Sequence, residues 1–97
     1  MDESSVRQHA EAHGNAVVGG DLRTAGADLT PEAASQARDV MGRVPQPTTS
    51  ADILGIEAEG EQMVVAILYK GEDKEATVLS TWAERDGRPM IINLSVQ

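Results

Sequence analysis

The sequence predicts an α+β fold: two or three amino-terminal helices packed on a curved, four-stranded antiparallel sheet. Three observations predict it. Residues 4–42 carry helix starts, helix stops and apolar residues at helical spacing. The segment RVPQPTTS, rich in proline and hydroxyl residues, then interrupts the chain. Residues 51–96 read as four strands joined by the turns AEGEQ, KGEDKE and RDGR. At 97 residues the chain is expected to be one domain, 1–97, with a helical half (4–42) and a strand half (51–96).

Taken in order, Ser4 or Ser5 is the expected N-cap of a first helix that runs to about Val18. At about 100° per residue, Val6, Ala10, His13 and Val17 fall on one stripe, with His9 beside it. Gly19-Gly20 ends that helix, and Asp21 favours the start of a short second one over about Leu22–Ala27. Leu22 and Leu29 are expected to be its buried contacts. Thr30-Pro31-Glu32 combines a hydroxyl N-cap, a proline at the first helical position and an acid in the first turn. Ala33, Ala37, Val40 and Met41 line one face of this third helix, and Gly42 is placed for its C-cap.

In the strand half, Asp86-Gly87 is the two-residue loop that type I′ hairpins prefer, because both positions need φ > 0. That turn sets Arg85 opposite Arg88, Ala83 opposite Met90, Thr81 opposite Ile92 and Leu79 opposite Leu94. The loop Gly71–Lys74 pairs Lys70 with Glu75 and Leu68 with Thr77 in the same way. One face then holds Val64, Ala66, Leu68, Leu79, Met90, Ile92, Leu94 and Val96, with Thr77 and Thr81. The other holds Met63, Val65, Ile67, Tyr69, Val78, Ser80, Trp82, Ile91, Asn93 and Ser95. Both faces are largely apolar, whereas a sheet with one wet face alternates apolar and polar residues. Short helices cover only one face, so the second is expected to pair with a second copy in a sheet-to-sheet homodimer.

Bulk composition narrows the classes of function. The formal net charge is −8 and the isoelectric point about 4.5. That balance repels nucleic-acid phosphates and anionic lipid, so neither nucleic acid nor membrane is expected as a partner. The chain has no cysteine, which removes disulfide and thiolate chemistry. It opens on the polar MDESSVRQ and has no run near the ~20 apolar residues of a membrane span. A cytoplasmic location is the expectation. With one Trp, one Tyr and no Phe, the core must be aliphatic.

Two stretches carry a family resemblance, VVGGDLRTAGADLTPEA and STWAERDGRPMIINLSV. The first resembles the helix, Gly-Asp-Leu and short-helix opening of the nuclear-transport-factor-2-like superfamily, which includes SnoaL-like polyketide cyclases and ketosteroid isomerases. The second is similar to that family's final hairpin: a tryptophan-bearing strand, an Asp-Gly turn and an aliphatic last strand. Together they make up about a third of the chain. The resemblance implies a cystatin-like cone, with a ligand held between the helices and the concave sheet face and dimerisation through the other face. It also implies that the face with Trp82, Tyr69, Ser80 and Asn93 lies under the helices.

The candidate site residues follow from these placements. Tyr69, Ser80, Trp82 and Asn93 share one sheet face and are the candidate ligand-binding groups, since small-molecule pockets are apolar walls with a few convergent polar groups. Trp82 and Tyr69 also serve as plain core fillers, and that reading competes. His13 and His9 are candidate acid–base groups, because an imidazole titrates near neutrality. Their i, i+4 spacing also suits a shared metal, but spacing supplies no third ligand, and no metal or cofactor is expected. Asp28 and Asp52 are the acids nearest the expected pocket. No Ser-His-Asp spacing, phosphate loop or zinc motif is present. The favoured reading is a small dimeric ligand-binding or association domain without catalysis. The alternative is an isomerase, cyclase or dehydratase acting on a small apolar cyclic substrate through His/Asp acid–base chemistry. A third is an interaction module whose acidic surface meets a basic partner.

Overall fold

Each of the three helices starts at a side-chain oxygen that accepts an otherwise orphaned backbone N–H. In the computed structural model, which describes residues 1–97, α1 spans Glu3–Val18, α2 Leu22–Gly26 and α3 Pro31–Met41. The N-cap of α1 is Asp2 rather than Ser4 or Ser5: its carboxylate accepts from the Ser5 backbone N–H at 2.7 Å. A carboxylate also complements the positive end of the helix dipole, which a serine hydroxyl does not. Asp21 caps α2 by accepting from Thr24, and Thr30 caps α3 with Pro31 in its first turn. Gly42 is the C-cap of α3.

The strands are β1 (Ser50–Glu59), β2 (Gln62–Lys70), β3 (Glu75–Arg85) and β4 (Arg88–Val96). They form one sheet in the order β1-β2-β3-β4, every neighbouring pair antiparallel. The β3–β4 turn has φ 53° at Asp86 and 82° at Gly87, the left-handed pair that a type I′ loop requires. The β2–β3 register agrees with expectation, Lys70 opposite Glu75 and Leu68 opposite Thr77.

The β3–β4 register agrees only near the turn. Arg85 faces Arg88 and Ala83 faces Met90, but Trp82 faces Ile91 and Thr81 faces Asn93, so Ile92 is an extra, bulged residue. Because side chains alternate with period 2, one inserted residue reverses the faces of everything beyond it. Leu94 therefore faces Ser80 and is buried, while Asn93 and Ser95 are exposed, opposite Thr81 and Leu79. The expected pairs Thr81–Ile92 and Leu79–Leu94 are corrected accordingly. A second bulge, at Leu54, interrupts β1 between Ile53 and Gly55.

The helices cover the face that carries Val65, Ile67, Tyr69, Val78, Ser80 and Trp82, all buried. Val6, Ala10 and Val17 of α1 and Ala33 and Val40 of α3 complete the core. Leu22 departs from expectation: it is 59% exposed, because a five-residue helix turns only part of its surface inward. The outer face (Val64, Ala66, Leu68, Leu79 and Ile92 among others) is half-buried by its own neighbours and has no layer over it. No helix is long and apolar enough to cross a membrane.

Candidate acid–base site in the helix–sheet cavity

His13 sits on the buried stripe of α1, between Ala10 and Val17. The helix lies close to β1 there because the next residue is glycine: a Cβ at Gly14 would stand 3.0 Å from that of Ala51. Asp28 reaches the same place from the link between α2 and α3. Its carbonyl accepts from the Ile91 N–H at 2.7 Å, and the Thr30 N–H donates to the Ile91 carbonyl at 3.0 Å. The segment Asp28–Thr30 is thereby pinned along β4 as a single parallel bridge, Leu29 to Ile91. Fixing the backbone on both sides of Leu29 aims the Asp28 side chain inward, where the residue is 8% exposed.

The two side chains meet. The His13 Nδ1 lies 3.0 Å from Asp28 Oδ2, and Arg88, first residue of β4, donates from Nη2 to Asp28 Oδ1. Burial by itself would raise the Asp28 carboxyl. The hydrogen bonds and charges of His13 and Arg88 outweigh it and hold the group below the usual carboxylate range. Asp28 is therefore an anion at neutral pH, able only to accept, so Nδ1 carries the proton. In the neutral ring Nε2 then holds the lone pair, and it has no hydrogen-bond partner within the chain. Asp28 orients the imidazole as carboxylates orient histidines in hydrolase triads.

A second contact fixes the ring plane. Trp82, fully buried, stands edge-on to His13, ring centroids 6.1 Å apart at 89°. The indole is held in turn: Nε1 donates to Ser80 Oγ at 3.0 Å, and Ser80 Oγ donates to the Val65 carbonyl at 3.1 Å.

His13 forms part of the wall of a cavity of about 280 Å³ between the three helices and the sheet. Val17, Leu29, Val40, Ile67 and Leu94 make most of the wall apolar. Leu22 and Arg38, both lining and both exposed, mark where it meets solvent. Tyr69 also lines it; only 3% exposed, it forms no hydrogen bond within the chain, and burial pushes its hydroxyl well above the ordinary tyrosine value. It stays a protonated donor at any physiological pH.

Of the residues singled out from the sequence, His13 and Asp28 come together, and Tyr69 and Ser80 share their cavity. The others do not join them. His9 bonds through Nδ1 to the Ser5 carbonyl at 2.8 Å, closing back on its own helix. Asp52 is exposed on the edge strand opposite Leu68. Trp82 lies behind His13 rather than in the wall. Asn93 is turned outward by the bulge and accepts from the Gln36 side chain at 2.9 Å. Ser80 lines the cavity, but its hydroxyl is engaged by Trp82 and Val65. Sequence reasoning missed Arg88 and Arg38. Arg88 lies 60 residues from Asp28 and no spacing rule links them, whereas the end of an apolar-faced helix was a usable signal for Arg38.

A scan against models of known protein families finds no match, and a search of curated protein sequences finds none either.

Proposed function

We propose that this protein is a small homodimeric domain of nuclear-transport-factor-2-like type that takes up a small apolar cyclic molecule and moves a proton on it. One observation carries this reading: a buried histidine, oriented by a buried carboxylate, faces an apolar cavity with its second nitrogen free. A histidine that only packs needs one hydrogen-bond partner, and Asp28 would serve for that too, but it has no use for a second nitrogen open to the cavity. A general base needs both, since proton transfer requires a fixed tautomer and a fixed ring.

For a ring ketone the step balances as follows. His13 Nε2 takes a proton from the carbon beside the carbonyl, the C–H pair becomes a C=C bond, and the carbonyl pair moves to oxygen as an enolate. The Tyr69 hydroxyl, which lines the cavity without a partner in the chain, donates a hydrogen bond to that oxygen. The imidazolium, paired with Asp28, returns the proton to the same carbon, or to the far end of a dienolate when the ring carries an adjacent C=C bond, which shifts that double bond. Where the β-carbon bears a hydroxyl, the enolate pair forms the new C=C bond, the β C–O bond breaks, and the imidazolium gives its proton to the departing oxygen, which leaves as water. Asp28 acts through His13 and is a positioning residue.

The test is α-proton exchange of 2-decalone in D2O, followed by NMR. The wild type should accelerate exchange, and His13→Gln should lose about 100-fold of the acceleration. Exchange at the buffer rate while decalone occupies the cavity would leave a binding domain without catalysis. The mostly aliphatic wall and the engaged Ser80 favour that second reading. The apolar, uncovered outer face supports the homodimer.

A further inference from the structure

We infer that the ligand of this cavity is an amphipathic anion, a one- to two-ring body carrying a carboxylate, whose acid group is received by Arg38. The inference rests on the reading of the cavity as a small-molecule site and adds the class of molecule it selects.

Arg38 lies in the last turn of α3, lines the cavity, and is exposed. An arginine so placed lays its aliphatic stem along an apolar wall and keeps its guanidinium in water. Three arginines have carboxylate partners: Arg7 with Glu3, Arg43 with Asp39, and Arg88 with Asp28. Arg23, Arg38 and Arg85 have none, and of these three only Arg38 lines the cavity. Its nearest acidic neighbour in sequence, Asp39, is taken by Arg43. An unpaired cation at the mouth of an apolar cavity is a local trap for one negative group attached to an apolar body.

Tyr69 supplies the second observation. It is almost wholly buried, lines the same cavity and has no partner within the chain. Its hydroxyl therefore fits a polar oxygen on the ligand body, apart from the anion at Arg38. The volume, about 280 Å³, lies just under the ~300–1,000 Å³ typical of small-molecule sites. That excludes a large lipid and suits a mono- or bicyclic acid, for which octanoate is a simple anionic probe.

The experiment compares octanoate with octan-1-ol by calorimetry, together with methyl NMR shifts of Val17 and Leu94, in wild type and Arg38→Gln at pH 7.5. Octanoate should bind about fivefold more tightly than the alcohol, the upper end of what an exposed ion pair provides. The preference should shrink in 0.5 M NaCl and vanish in Arg38→Gln, which should still bind octan-1-ol as the wild type does. Equal affinities in the wild type, or a preference that survives in Arg38→Gln, would overturn the role of Arg38 and leave the cavity reading intact. If neither compound shifts the Val17 and Leu94 methyls, the cavity reading fails, and this inference fails with it.

Discussion

Replacing Asp28 by asparagine keeps the shape of the side chain and removes the charge that two groups share. The carboxylate now accepts from His13 at 3.0 Å and from Arg88. Breaking a buried ion pair costs about 3–5 kcal/mol when the surviving charge is trapped. Here neither survivor is trapped. The Arg88 side chain is 40% exposed and can turn to water, and the His13 Nδ1–H can bond to the amide oxygen. What remains is the exchange of two charge-assisted hydrogen bonds for weaker ones, about 2 kcal/mol in total. In a domain of this size that lowers the melting temperature by about 8–16 °C. The pH dependence gives a sharper criterion. The folded carboxyl lies below its unfolded value, so between the two the unfolded chain binds more protons and stability rises with pH. The contribution is complete above the unfolded value near 4 and is lost as pH falls through the lower, folded value. Urea unfolding followed by circular dichroism should therefore show the wild type ahead of Asp28→Asn above pH 4, the gap closing below it. Equal stability at pH 7, or a gap that stays constant down to pH 2, would refute the assignment of Asp28 as an ionised, doubly bonded group.

Tyr69→Phe removes a hydroxyl that has no partner within the chain, so urea unfolding should change by less than about 0.5 kcal/mol. The same variant should slow the decalone exchange about tenfold, and unchanged exchange would remove Tyr69 from the proposed reaction. Leu79→Glu places a charge in the middle of the outer sheet face; sedimentation velocity should show a wild-type dimer and a folded monomeric variant, and a monomeric wild type would end the dimer proposal. Gly87→Ala puts a Cβ at φ 82°, which should cost about 1 kcal/mol in thermal unfolding. No loss there would mean that the hairpin turn relaxes without strain.

Local chemistry determined a good deal of this protein from the sequence alone. The caps at Asp21, Thr30 and Gly42, the Asp86-Gly87 turn and the β2–β3 register depend on residues a few positions apart, and they appear in the structure as read. The α1 stripe with His13 at its centre is likewise a matter of helical period. Asp2 displaced Ser4 and Ser5 as the first cap by only two or three residues, within the range over which helix starts compete.

The tertiary structure decided the rest. The bulge at Ile92 has no local signature in the sequence; it falls next to Ile91, where the Asp28–Thr30 segment is bonded to β4. That one residue turned Asn93 outward and brought Leu94 into the cavity wall. The union of His13, Asp28 and Arg88 joins three segments of the chain, and its members become neighbours only after helix and sheet are packed. Spacing rules see contacts made by one element's own periodicity. The site is built from contacts between elements, and those exist only in three dimensions.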